Sequence, residues 1–126
     1  MYTNHASVLK NRLYLTLKGK VDVTELRAWS ADLLAEARKL KPGFTTVSDI
    51  LECEPTTEEG RRIVQETQAQ AKALGMGHVV RITRGANPVT ANQWQRSSRA
   101  VGYTASEASS VEEADKLLDE LGNKPA

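Results

Sequence analysis

Four arginines crowd one stretch of this chain. Arg81 and Arg84 close a β-branched run, and Arg96 and Arg99 follow three positions apart on the next helical segment, where a three-residue spacing makes them surface neighbours. Guanidinium groups gathered in this way can hold an anion or an acidic partner through charge-assisted, bidentate hydrogen bonds. The same four also read as solvated charges pairing with Glu and Asp, and their spacing leaves both readings open. Trp94 stands on the apolar stripe of the same segment, as Trp29 does on an earlier one, placed for the core or for a pocket beside the arginines.

A second group is acidic. Asp49 ends the run Phe44 to Leu51, and Glu52-Cys53-Glu54-Pro55 leads to Thr56-Thr57-Glu58-Glu59. Cys53 with its acidic neighbours lacks a second Cys or a nearby His, so it is a poor zinc pattern and reads as a lone loop cysteine. His5 and His78 lie where no Ser-His-Asp arrangement is suggested. Gly75-Met76-Gly77 precedes a strand instead of following one, and Gly85-Ala86-Asn87 is too short to cradle a phosphate. No catalytic residue, metal or cofactor is therefore assigned.

The elements that must position these groups are announced by their caps. Asp22 with Glu25, Thr56 with Glu59, Asn87 before Pro88 and Ser110 with Glu113 each offer a short polar side chain to the orphan N–H groups of a first helical turn. Apolar residues then recur at three and four: Leu26, Trp29, Leu33, Ala37 and Leu40 in the first helix; Ile63, Val64, Thr67, Ala71 and Leu74 in the second, which starts at Thr56 or Thr57. Between the helices run Phe44 to Leu51, His78 to Arg84 and a weak strand within Tyr103 to Ala108. In His78 to Arg84, Val80 and Ile82 face one way while Val79, Arg81 and Thr83 face the other. Ser7-Val8-Leu9 and Leu13 to Leu17, flanking Lys10-Asn11-Arg12, predict an opening antiparallel hairpin, with His5 in a flexible terminus.

Strands separated by helices need crossover connections. The prediction is an α/β domain with a mixed, mostly parallel sheet of four or five strands and four helices, spanning 1–126 with its core over about 7–121. A ligand or partner is expected beyond the carboxyl ends of the strands, at Asp49 to Thr57 and Arg84 to Asn87.

Composition narrows the classes. With 126 residues and a net charge of +1, the chain is one domain in size and has no broad electrostatic drive toward nucleic acid. The single cysteine, the absence of signal-like opening residues and the lack of an apolar run of about 20 residues predict a cytoplasmic protein with no membrane span.

The order of elements resembles the STAS domain, the fold of bacterial anti-sigma-factor antagonists. Three stretches carry the likeness: LYLTLKGKVD, ending in Gly19 with Asp22 opening a helix; FTTVSDI, ending in Ser48-Asp49; and HVVRITR followed by Gly85. The resemblance implies a regulatory protein-interaction module with a protein partner, an anti-sigma-like regulator or kinase; a homodimer is compatible with it. It implies phosphorylation at the start of the second helix, where this chain has Thr56 and Thr57. A phosphate there, adding about −1.5 to −2 charge, would be drawn by the helix dipole and opposed by Glu52, Glu54, Glu58 and Glu59. The expected face comprises Asp49, Thr56, Thr57, Arg84, Gly85 and Asn87. The alternative is a carrier or sensor that holds an apolar or anionic small ligand beside Trp94, with Arg96 and Arg99 nearby.

Overall fold

Leu13, Leu15 and Leu17 alternate along one strand and turn to the same side, where they meet Leu26, Trp29 and Leu33 of the helix that follows. The computed structural model describes residues 1–122, and the polar tail lies beyond them. Five strands form one sheet: β1 (Tyr2–Ser7), β2 (Arg12–Leu17), β3 (Thr45–Asp49), β4 (Val79–Ile82) and β5 (Ser106–Ala108). They lie in the order β1-β2-β3-β4-β5, with β1 antiparallel to β2 and every later pair parallel. Four helices alternate with them: α1 (Val23–Ala37), α2 (Glu58–Ala73), α3 (Pro88–Val101) and α4 (Val111–Gly122). The mixed α/β sheet led by a hairpin is thus the observed architecture.

The hairpin differs in register from the sequence expectation. Its first strand begins at Tyr2, with Ser7 opposite Arg12, while Val8 and Leu9 sit exposed in the turn. His5 is strand, stacked on Tyr14 at 6.2 Å between ring centroids, and not a flexible end. β1 lacks an apolar alternation because it is an edge strand tied to α1 by polar contacts. The Asn4 side chain donates to the Trp29 carbonyl, and the Ala6 N–H donates to the Glu36 carboxylate.

The caps form largely as read. Asp22 accepts from the Glu25 N–H at 2.8 Å, Asn87 from Val89 at 2.9 Å and Ser110 from Glu113 at 3.1 Å. The second cap is Thr57, which accepts from Gly60, and not Thr56 with Glu59. Thr56 instead lies against Gly60, where a Cβ would stand 1.9 Å from its hydroxyl, so a larger residue at position 60 would displace the Thr56 side chain.

The sheet separates two apolar layers. On one face α1, α2 and α3 bury Trp29, Ile63, Val64 and Trp94 with the three leucines of β2. On the other, α4 brings Ala114 and Leu118 against Val47, Val80, Ile82 and Ala108. Each large apolar side chain so buried contributes about 1.5–3 kcal/mol relative to exposure. α4 is also held electrostatically. Arg12, 4% exposed, donates from Nε to Thr45, from Nη1 to Asp115 at 2.8 Å and from Nη2 to Asp119 at 3.0 Å, and the Tyr14 hydroxyl donates to Asp115 at 2.6 Å.

Burial first, and then the hydrogen bond to Asp115, push the Tyr14 phenol up to about 12 against the pull of Arg12. A folded pKa above the unfolded value near 10 means that this contribution is complete below about pH 10. It is lost as pH rises from there through the folded value. Titration of phenol absorbance should therefore leave at least one of the three tyrosines protonated above about pH 11 until the chain unfolds. Ionisation of all three on a native circular dichroism spectrum would contradict the Tyr14–Asp115 bond.

Candidate functional site

β4 has an unusual composition for a fully buried strand. Its alternation sends Val80 and Ile82 onto α4 and turns Val79 and Arg81 under α1–α3, so one side chain in the middle of the apolar pattern carries a charge. Arg81 is 4% exposed. Its Nη2 donates to the Ser98 hydroxyl at 2.8 Å and reaches the Tyr103 oxygen at 3.5 Å. Its Cζ lies 5.7 Å from the centroid of the Trp94 ring, which in turn meets Trp29 edge-on at 5.8 Å. A cation over an indole face is attracted to the ring quadrupole.

These contacts do not supply a counter-charge. Among the described residues no carboxylate forms an ion pair with Arg81, and its Nε is buried with no hydrogen-bond partner. Burial lowers its pKa, opposed by the smaller influence of Tyr103 and Glu107, and a guanidinium remains charged at neutral pH regardless. Arg12 provides the contrast within the same molecule: it is equally buried but lies against two carboxylates. Desolvating an ion without a partner is costly.

Arg81 forms the floor of a cleft of about 250 Å³ between α3 and the β4–β5 edge. Asn92, Gln95 and Arg99 line it from α3, and Tyr103 and Glu107 from the opposite side. Glu107, exposed and paired in register with Arg81 across β4 and β5, is the acidic member of the cleft. Burial raises the Tyr103 pKa, so its hydroxyl stays protonated at neutral pH and can donate. Gly102, at φ +98, closes α3 with its N–H bonded to the Ser98 and Arg99 carbonyls and turns the chain toward Tyr103.

The remaining residues singled out from the sequence are distributed around the molecule. Of the four arginines, Arg81 and Arg99 share the cleft, whereas Arg84 pairs with Glu113 of α4 at 3.0 Å and Arg96 is exposed where its charge acts on Glu58 of α2. They do not make one surface patch. Trp94 is core, 4% exposed, and touches the site through Arg81. Asp49 accepts from the Leu51 N–H and borders a groove with Tyr2, Thr16 and Lys18. Gly85 turns beside Leu51, and Asn87 is occupied as the α3 cap. Thr56 and Thr57 border another groove, with residues Lys20 to Thr24. Cys53 is buried, and that burial pushes its thiol up to about 11, which keeps it protonated at neutral pH.

Tyr103 and Ser98 join the site without having been singled out for chemistry in the sequence. Ser98 is legible only as an inward residue of α3. Tyr103 follows the glycine stop, where a conformation cannot be read from periodicity. Among the described residues no cluster of three His, Cys, Asp or Glu side chains could hold a metal ion, and no helix is long and apolar enough to cross a membrane.

Fold and cleft together define an α/β domain whose three-helix face encloses an arginine with no acidic partner among the described residues. No family model and no curated protein matches the chain.

Proposed function

We propose that this domain is a binding module that holds a small anionic ligand in the cleft between α3 and β5, with Arg81 as the principal contact. One observation carries the reading: Arg81, 4% exposed and with no carboxylate paired to it among the described residues, lines an open cleft. An anion entering there supplies the counter-charge that the fold withholds, and at low dielectric the attraction is stronger than at the surface. Arg99 adds a second positive charge. Glu107 limits the negative charge that the cleft tolerates, which favours a monoanion over a polyanion. Trp94 and Ser98 hold the guanidinium plane in place before the ligand arrives, lowering the ordering cost of binding.

The experiment is a thermal-shift titration with acetate, sulfate and phosphate at constant ionic strength. Binding to the native state alone raises the melting temperature with concentration. The expected result is such a rise for at least one of these anions in the wild type and none in Arg81→Met. An equal rise in both proteins would remove Arg81 from the role.

A regulatory protein-interaction module resembling the STAS anti-sigma-factor antagonists is a second reading. It is favoured by the groove where the starts of α1 and α2 lie side by side, lined by Asp22, Val23, Pro55 and Thr57 among others. If a kinase acts there, Thr57 is the expected target. Thr57 is exposed, whereas Thr56 is half-buried with its N–H and carbonyl both bonded to the Gln93 amide. Incubation with ATP and cell lysate, followed by phosphopeptide mapping, should find phosphate on Thr57 and not on Thr56. Phosphate on neither would remove the switch from this reading.

A further inference from the structure

Beyond Arg81 lies a second, smaller space. Between the sheet and α1–α3 lies a partly open space of about 20 Å³, lined by Arg81 and Tyr103, which also line the cleft, and by Trp29, Thr46, Ser48 and Gln68 among others. Such a volume takes one or two atoms of water size. Trp29, Thr46, Ser48, Gln68 and Arg81 are each more than nine-tenths buried. All five carry polar atoms that are sealed from solvent and have no hydrogen-bond partner among the described residues: Trp29 Nε1, Thr46 Oγ1, Ser48 Oγ, both ends of the Gln68 amide and Arg81 Nε. Buried polar groups are almost always satisfied, so five such side chains around one space point to something that satisfies them.

Their chemistry specifies what that is. The Trp29 and Arg81 nitrogens can only donate, the Gln68 nitrogen donates twice, and the two hydroxyls can donate or accept; only Gln68 Oε1 must accept. Donors therefore dominate, beside a positive charge. We infer that this space seats the carboxylate of a small monocarboxylate ligand, its two oxygens between Arg81 and the Gln68–Ser48–Thr46 group, with the remainder of the ligand in the cleft. The inference rests on the cleft reading and narrows it. A planar group with two oxygens suits so small a volume, whereas tetrahedral sulfate or phosphate has four oxygens and is confined to the open cleft.

The test uses formate, acetate and sulfate as probes of the whole chain, followed through the side-chain N–H resonances of its two tryptophans. Formate and acetate should move the Trp29 indole signal saturably and bind about ten-fold more tightly than sulfate. Gln68→Leu, which alters the inner space and leaves the cleft lining intact, should abolish that preference while leaving sulfate binding unchanged. Ser48→Ala serves the same purpose if Gln68→Leu fails to fold. Equal affinity for all three probes, lost in Arg81→Met but indifferent to Gln68→Leu and Ser48→Ala, would overturn the carboxylate seat and leave the cleft standing. No saturable response to any probe would overturn both.

Discussion

Replacing Asp115 by Ala is expected to remove about 3 kcal/mol of folding stability, the order of magnitude for stripping an acceptor from a buried charge. Asp115 accepts from both Arg12 and Tyr14, and its loss leaves Arg12 Nη1 and the Tyr14 hydroxyl unpaired under α4, with Asp119 as the remaining counter-charge. Burial works to raise the Asp115 pKa, but the hydrogen bonds from Tyr14 and Arg12 outweigh it and hold the carboxyl below its ordinary range. A folded pKa below the unfolded value of about 3.9 gives a contribution that is complete above that pH and is lost as pH falls through the folded value. Urea unfolding at neutral pH and near pH 3 checks both parts. The variant should be weaker at neutral pH, and the gap from wild type should narrow in acid. A gap unchanged by acid would mean that the carboxylate charge is not what holds the helix. Adding Arg12→Met should restore part of the loss, since the unpaired cation leaves with it.

Arg81→Met is expected to act in the opposite direction. The substitution keeps an unbranched side chain of similar reach and removes a buried cation without a carboxylate partner, so stability should rise by about 1–4 kcal/mol, as when buried charges give way to apolar groups. Ser98 retains a partner, since its hydroxyl also donates to the Trp94 carbonyl at 2.7 Å. Anion binding should fall by at least about ten-fold, the equivalent of one charge-assisted hydrogen bond. Melting curves without ligand and titrations with acetate separate the two effects. A more stable protein that no longer binds marks Arg81 as retained for function at a cost in stability. A less stable one would show that its contacts with Ser98 and Trp94 outweigh its desolvation, and that Arg81 is structural.

What could be read from the chain followed the range of the interaction. Asp22, Asn87 and Ser110 announced helix starts because a cap is settled within three residues, and the stripe from Leu26 to Ala37 repeats within single turns. Thr56 and Thr57 could not be ranked, because the choice turns on Gly60 and on Gln93 from another helix. β1 was set too late because Tyr2 to Ser7 carry no alternation; their strand is fixed by α1, some 25 to 30 residues on. Arg12 looked like a turn residue, although its partners stand more than 100 positions away. Arg81 was visible as a charge alternating with Val80 and Ile82, but its burial at 4% exposure and the lack of a paired carboxylate among the described residues are properties of packing. Gln68 carried a fainter signal: it follows Val64 by four positions, on the stripe that faces the sheet.

The Arg12–Asp115 contact also has a bearing on the order of events during synthesis. It spans 103 positions, so Arg12 leaves the ribosome well before its partner does. At about 5–20 residues per second, the nascent chain spends about one to four seconds between the end of α3 and the end of α4, with α1, α2 and α3 able to dock on their side of the sheet while the opposite side waits. During that interval Val47, Val80 and Ile82 lack their cover, and a cation at the mouth of β2 lacks its anions. The last dozen residues described act as a closing latch, and a chain stalled or cut before Val111 would present a bare apolar sheet, the kind of surface that chaperones engage and that aggregates form on.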